Sequence, residues 1–432
     1  MFKLIYKCVF SFIRLAMPLL KRKYPKLKER EQYAADAFTS IQELRNSYPN
    51  QTLFWIHAAS TGEFEQAKPV IEQLKVMYAE CIVCVTFFSP SGYNAHKNYT
   101  FADCVCYLPL DTGNNAKRFI ETLAPVCAIF IRYDLWFNYL YILNKKSIPT
   151  FCICTTLSSS IPKNYFYTLY VRKVFELCTK VYTANKNEYE KIRQYYPTVA
   201  AENSSDTRFD RISSIVDHPK NLPLSKEDFP SQKPIIIVGS SWREDEHLFF
   251  QMYVSDKHQI PFSLIIVPHE PTHDHVHQLR TMFTSCVLWS EIENNADRYK
   301  SQAPSIIIVD SIGKLLQIYS LADAAYIGGG FGAGVHSCAE PAGYGIPLCS
   351  GKKIDRSPDA IALKKEKALT LIENTQELRQ WISIIVLNKE ARLRRGFYAK
   401  NYINTRRGAS SQITSDIQEI IAKHQPFTES AQ

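Results

Sequence analysis

Several things are missing from this 432-residue sequence, and each omission sets a class of protein aside. Twelve cysteines are present without a disulfide-framework context: Cys81, Cys84, Cys104, Cys106, Cys152 and Cys154 sit inside apolar, strand-like runs. Cys-x-Cys with alternating apolar neighbours is strand spacing, not zinc spacing, so the expectation is reduced, buried thiols and no metal. No aromatic–basic stripe or nucleic-acid motif occurs, which sets nucleic acid aside as a partner. The first twenty residues are apolar, but Lys3, Lys7 and Arg14 interrupt them, so there is no clean membrane span. No small-residue cleavage site follows, which argues against a cleaved signal.

What is there is a moderately basic chain, with a formal charge of +9, long enough for two domains. That charge fits an acidic partner such as an anionic membrane surface or a nucleotide. Residues 1–24 combine a large apolar surface (Phe2, Leu4, Ile5, Val9, Phe10, Phe12, Ile13) with a basic flank at Lys21, Arg22 and Lys23. This predicts an interfacial anchor with its flank in the cytoplasm; a buried N-terminal helix is the alternative. From residue 53 onward, short apolar runs alternate with helical patterns, the signature of a parallel sheet covered on both faces. Strands are expected at 53–58, 81–88, 105–108, 127–131, 149–155 and 180–184. Residues 217–233 carry Pro219, Pro223 and Pro230 and read as a linker. A second alternating series begins at 234, with strands expected at 234–238, 262–267, 285–289, 305–309, 324–327 and 347–350. The expected architecture is therefore α/β, with two Rossmann-like doubly wound domains, 25–216 and 234–405, facing a ligand cleft. Residues 406–432 are expected to form a C-terminal helix and polar tail.

Candidate chemistry lies where strands end. Glu63 follows the first strand and opens a helix, where the dipole would favour its ionised form and let it accept a proton. A plain helix cap is the structural alternative. Arg132, Tyr133, Asp134 and Trp136 follow another strand and suit an anionic sugar, with a helix N-cap Asp as the structural alternative. Asp206, Arg208, Asp210 and Arg211 could clamp a phosphate or carboxylate, or form a surface ion-pair cluster. In the second half Ser240 and Ser241 follow a strand and precede a helix, as an anion site requires. Pro268 and His269 end the next strand. The stretch 310–347 holds a helix (313–322), a strand and five glycines between Gly328 and Gly334. Gly328 to Ala333 formally fits a G-x-G-x-x-A dinucleotide pattern. It comes too late in its domain, and no acidic residue ends a strand some twenty residues on, so a nicotinamide cofactor is not expected.

Taken together, WIHAASTGEFEQAKPVIEQL (55–74), DTRFD (206–210), GSSWREDE (239–246), VPHEP (267–271), DSIGKLLQIYSLADAAYIGG (310–329) and GVHSCAEPAGYGIP (334–347) resemble the Kdo (3-deoxy-D-manno-octulosonic acid) transferases of lipopolysaccharide assembly, and their variants look like the Bacteroidetes branch. The resemblance implies a GT-B glycosyltransferase using no metal and no cofactor. It implies CMP-Kdo as donor and a lipid A precursor as acceptor, at the cytoplasmic face of the inner membrane. The N-terminal domain would take the acceptor and the C-terminal domain the nucleotide. By position, Glu63 matches the family's base and Arg208 a lysine that steadies transition-state charge. Pro268-His269 matches a Pro-Arg pair at the CMP site. Ile312-Gly313-Lys314 matches a Met-Gly-Glu segment, and Ser337-Cys338-Ala339-Glu340 matches Asn-x-x-Glu, with Glu340 holding ribose hydroxyls. Arg132 stands where many members have Glu. Either Asp134 supplies that carboxylate, or Arg132 binds the carboxylate of Kdo. A GT-B lipid glycosyltransferase using another nucleotide sugar and a non-catalytic basic membrane adaptor are the alternative readings.

Overall fold

In the computed structural model, the described residues are Tyr6, Phe10, Arg22 and 25–424, without 35, 159–160, 162–163, 231–232, 257–259 and 301. The chain divides into two compact units, Met1–Arg211 with Arg407–Gln432, and Ile212–Arg406.

The first unit is built on a seven-stranded sheet of order β3-β2-β1-β4-β5-β6-β7. Its strands are β1 (Leu53–Ala58), β2 (Ile82–Phe87), β3 (Cys104–Tyr107), β4 (Cys127–Ile131), β5 (Thr150–Thr155), β6 (Lys180–Thr183) and β7 (Ala201–Asn203). Every pairing is parallel. Strands buried on both faces explain the continuous apolar runs: β1, β2, β4 and β5 are buried at every residue. One face packs Trp55, Phe119, Phe130 and Tyr139; the other packs Phe54, Phe64, Val83 and Ile129. Chain order reverses between β1 and β4. That is the topological switch point, where loops leave the carboxyl ends in opposite directions and open a crevice.

The second unit repeats the plan, with order β10-β11-β9-β8-β12-β13-β14. The strands are β8 (Ile235–Ser241), β9 (Ser263–Pro268), β10 (Val287–Leu288), β11 (Ile306–Ile308), β12 (Ala324–Ile327), β13 (Leu348–Gly351) and β14 (Leu369–Ile372). Its switch point lies between β8, which ends in Ser240 and Ser241, and β12, which precedes the glycine run.

Several boundaries differ from the sequence-based expectation. The division between the units falls after Arg211, within the helix Arg208–Asp217 and upstream of the proline-bearing segment. The C-terminal helix Ala409–His424 belongs to the first unit. Ile413, Ile417 and Ile421 enter its core, and Asp416 accepts from Lys180 Nζ at 2.6 Å and from the Tyr182 hydroxyl at 2.9 Å. The expected strand 285–289 keeps two residues, because Trp289 starts a helix. The expected helix 313–322 shortens to Leu315–Ile318 and a 3-10 turn, Tyr319–Leu321.

The anchor expected over residues 1–24 falls outside the described residues, apart from Tyr6, Phe10 and Arg22. Tyr6 is buried in the first unit, donating its hydroxyl to Asp111 Oδ2 at 2.6 Å and stacking on Phe10. Among the described residues no helix is long and apolar enough to cross a membrane. The polar tail 425–432 is also outside the described residues.

Candidate functional site

The first unit gathers charge at its switch point. Ser60 caps the helix Thr61–Met77, accepting from the Glu63 amide at 3.5 Å, while Glu63 Oε2 accepts from the Ala59 amide at 2.6 Å. Ser60 accepts from the Glu63 amide while the Glu63 carboxylate reaches back past the N-cap to the Ala59 amide, so Glu63 does hold the helix start. It is also buried, at 8% exposure. Burial, then the negative charge of Asp134, pushes its carboxyl above the ordinary glutamate value, against the Ala59 amide, His57 and Arg132. The expected dominance of the helix dipole is therefore corrected: desolvation and a like charge outweigh it. The result is a carboxylate of raised basicity.

Asp134 is held from two sides. His57, fully buried on β1, meets Asp134 Oδ2 with Nε2 at 2.8 Å and the Thr86 hydroxyl with Nδ1 at 2.9 Å. A carboxylate only accepts, so the Nε2 proton points to Asp134. The Trp136 indole donates to the same carboxylate oxygen at 3.1 Å.

Arg132 leaves β4 in the left-handed region, φ 62°, its amide donating to Ile153 O at 2.8 Å. This turn aims its Nε at Gln66 Oε1, 2.9 Å away. Gln66 sits one turn beyond Glu63 on the same helix and donates to both Asp206 oxygens at 2.8 Å. Asp206 in turn accepts from the Arg208 amide at 3.0 Å and pairs with Arg208 Nε at 3.3 Å.

Glu63, Arg132, Asp134 and Arg208 are thus brought into one connected region. The rest of the 206–211 cluster is structural. Asp210 accepts from the Gly408 and Ser410 amides at 2.5 and 2.7 Å, and Arg211 pairs with Glu65 and Glu72. Sequence reasoning missed His57 and Gln66. The visible signal for His57 is an imidazole in an otherwise apolar strand, at its penultimate residue. A cavity of about 230 Å³ adjoins Asp134, lined chiefly by Trp136, Leu157, Ile161, Tyr170 and Phe175.

The second unit uses its carboxylates differently. Asp245 accepts from the Trp242 amide at 3.0 Å, the Gly329 amide at 2.9 Å and the Tyr326 hydroxyl at 2.8 Å. It ties the glycine run to the helix Arg243–Ser255. Burial raises its carboxyl despite those three bonds. Glu246 accepts from the Ser241 hydroxyl at 2.7 Å and meets His275 Nε2 at 2.8 Å. Ser241 is therefore buried, its hydroxyl engaged within the unit. Ser240 stands at the strand's register shift with φ 50°. Gly328 has no room for a side chain, since a Cβ there would lie 2.3 Å from Ser240 O.

Around these loops stand three stacked rings. Trp242 lies 5.0 Å from His269, and His269 4.3 Å from His336; the Trp242 indole donates to His336 Nε2 at 2.8 Å. Burial, then His269, lowers the His336 pKa, so that ring is neutral near pH 7. Pro268 is buried at the end of β9, and His269 is exposed. Ile312 is exposed, Gly313 has φ 81°, and Lys314 pairs with Glu293 at 2.5 Å. Ser337 is exposed, Cys338 and Ala339 are buried, and Glu340 is half-buried on the short helix Ala339–Gly343. Among the described residues, the one cluster of donors converging closely enough to hold a metal ion is Cys84, Cys104 and Cys106.

A family model described as "3-Deoxy-D-manno-octulosonic-acid transferase (kdotransferase)" matches residues 26–211. A 3-deoxy-D-manno-octulosonic acid transferase of Haemophilus influenzae is 25% identical over 91% of this chain and 92% of its own. One from Chlamydia trachomatis is 26% identical over 79% of each. Among solved structures, a UDP-GlcNAc 2-epimerase from Neisseria meningitidis superposes with a TM-score of 0.58 at 12% identity, over 85% of this chain and 100% of that one. That likeness concerns the fold alone: two Rossmann-like α/β units, consistent with the GT-B architecture. The chain is thus similar in sequence to Kdo transferases, and the matches single out no branch of that family.

Proposed function

We propose that the protein transfers Kdo from CMP-Kdo to a lipid A precursor, with inversion at the anomeric carbon. The observation that carries this reading is the buried, raised carboxyl of Glu63 at the switch point of the first unit, within the segment matched by the family model. Glu63 takes the proton of an acceptor hydroxyl as the hydroxyl oxygen bonds to the anomeric carbon. The bond from that carbon to the CMP phosphate oxygen breaks, and CMP leaves with the electron pair. A base whose proton affinity lies above an ordinary carboxylate's suits this step near neutral pH. Arg132 and Arg208 supply positive charge for the Kdo carboxylate or the leaving phosphate, fixed in place through Gln66 and Asp206. Asp134, rigidly oriented by His57 and Trp136, supplies the second carboxylate.

In the second unit, the ring stack of Trp242, His269 and His336 offers a face for the cytosine. Pro268, Ser240 and the glycine run let backbone approach the phosphate and sugar. Glu340 takes the ribose hydroxyls, with Gly313-Lys314 and Ser337 beside it. Work at the cytoplasmic face of the inner membrane, with the basic N-terminal flank against anionic lipid, belongs to the same reading. The test is incubation with enzymatically generated CMP-Kdo and lipid A precursor, followed by product masses. The acceptor is expected to gain Kdo. An unchanged acceptor, together with thermal stabilisation by UDP but not CMP, would overturn the donor assignment.

A further inference from the structure

The cysteine pattern that looked dispersed along the chain converges in space. β2 and β3 are parallel neighbours in which Cys84 registers with Cys104, and Thr86 with Cys106. Side chains alternate between faces along a strand, so Cys84, Cys104 and Cys106 point to the same face. Their three sulfur atoms all lie within 4.8 Å of one another. Sulfurs bound at about 2.3 Å around a common centre stand about 4 Å apart, so the three need close by less than about 1 Å to share an ion.

Packing does not explain the choice of residue. On the opposite face of the same two strands, the intervening positions are Val83, Val85 and Val105, the β-branched filling that such strands favour. On the cysteine face, three thiols replace it side by side. Cys84 and Cys106 are buried in the core, while Cys104 is only partly covered, and β3 is the edge strand of the sheet. An ion can therefore reach the group from the Cys104 side. All eleven described cysteines are free thiols, and no other group of potential metal ligands among the described residues comes together in this way.

We propose that Cys84, Cys104 and Cys106 form an all-sulfur, three-coordinate site for one soft, thiophilic metal ion, with Cu(I) as the best match. Three sulfur donors without nitrogen or oxygen select a soft cation. Zn(II) takes a fourth ligand in almost every structural site, and no fourth donor joins this group among the described residues. Cu(I) is satisfied by three sulfurs. On binding, three sulfur–copper bonds form, and each thiol that ionises releases its proton to solvent, with no change of oxidation state. The site shares a rung with Thr86, which registers with Cys106 and contacts His57, but the proposal does not depend on the transferase reading.

The test is anaerobic titration of the full, reduced chain with Cu(I) in competition with bicinchoninate, with stoichiometry read by native mass spectrometry. Wild type is expected to hold one Cu(I) against the competitor. Cys104→Val and Cys106→Val are expected to weaken that binding by roughly a hundredfold or more, as loss of one of three ligands requires. Cys127→Val, a buried cysteine outside the group, is expected to bind as wild type does. Valine is chosen because these strands already accept it, and unchanged circular dichroism checks each fold. Should a valine variant fail to fold, Cys104→Ser at the partly exposed position takes its place in the same titration. Wild type binding no more tightly than the Cys104 variant, or equal loss in Cys127→Val, would overturn the proposal.

Discussion

The two units share a fold and a switch point but place their buried carboxylates in opposite service. In the second, Asp245 and Glu246 each accept from backbone or side-chain donors of their own unit and hold loops in shape. What that unit sets around these loops is glycine backbone, an exposed imidazole and stacked rings. In the first, Glu63 accepts from one donor among the described residues, the Ala59 amide, and shares its surroundings with Asp134, His57 and Arg132. Its proton affinity is raised without being satisfied. The difference teaches that a doubly wound unit becomes a scaffold for binding or for proton transfer according to how completely its rim carboxylates are bonded.

Several substitutions break or sharpen this contrast. The largest effect belongs to Glu63→Gln, expected to lower transfer roughly 10²–10⁴-fold, the usual worth of a general base, with CMP affinity unchanged. The same variant bears on stability. Its folded-state carboxyl lies above the unfolded value, so the stability Glu63 contributes is full below the ordinary glutamate pKa and is lost as pH rises through the raised one. Glu63→Gln should therefore be at least as stable as wild type at neutral pH, as chemical denaturation would show. In the second unit the ranking reverses. Asp245→Ala leaves the Tyr326 hydroxyl and the Trp242 and Gly329 amides without an acceptor, and is expected to cost about 3 kcal/mol of stability, measured by the same method.

His269→Ala removes the central ring of the stack. It should weaken CMP binding about tenfold by calorimetry while leaving the pH dependence of transfer unaltered. The smallest effect is expected from Asp134→Asn on the pH–rate profile. Removing the like charge lowers the Glu63 pKa, so the ascending limb moves to lower pH.

Much of the frame was legible in the sequence, because parallel strands buried on both faces leave short apolar runs. β4 was read to the residue, and the glycine run was correctly set after a strand. β7 and β14 were not read: the first is short and polar, Ala201–Asn203, and the second follows a lysine-rich helix. The site was legible as a set of strand ends but not as a network. The link from Arg132 through Gln66 to Asp206 joins residues 66 and 140 positions apart, and only the folded sheet brings them together. The direction of the Glu63 shift was misjudged for the same reason. A helix start is local and visible, whereas burial and a carboxylate 71 positions away, at Asp134, are not. Ser241 was set after its strand, yet it is the last residue of β8, and its hydroxyl is bonded to Glu246, five residues on.

The central claim is that Glu63 is an under-bonded carboxylate whose proton affinity is raised by burial and by Asp134. Carbon-13 NMR of glutamate carboxyls, with Glu63→Gln identifying the resonance, measures this directly. The account predicts that the Glu63 carboxyl titrates above the ordinary glutamate range in wild type and moves down in Asp134→Asn. A wild-type carboxyl titrating at or below that range, or one indifferent to Asp134, would contradict it.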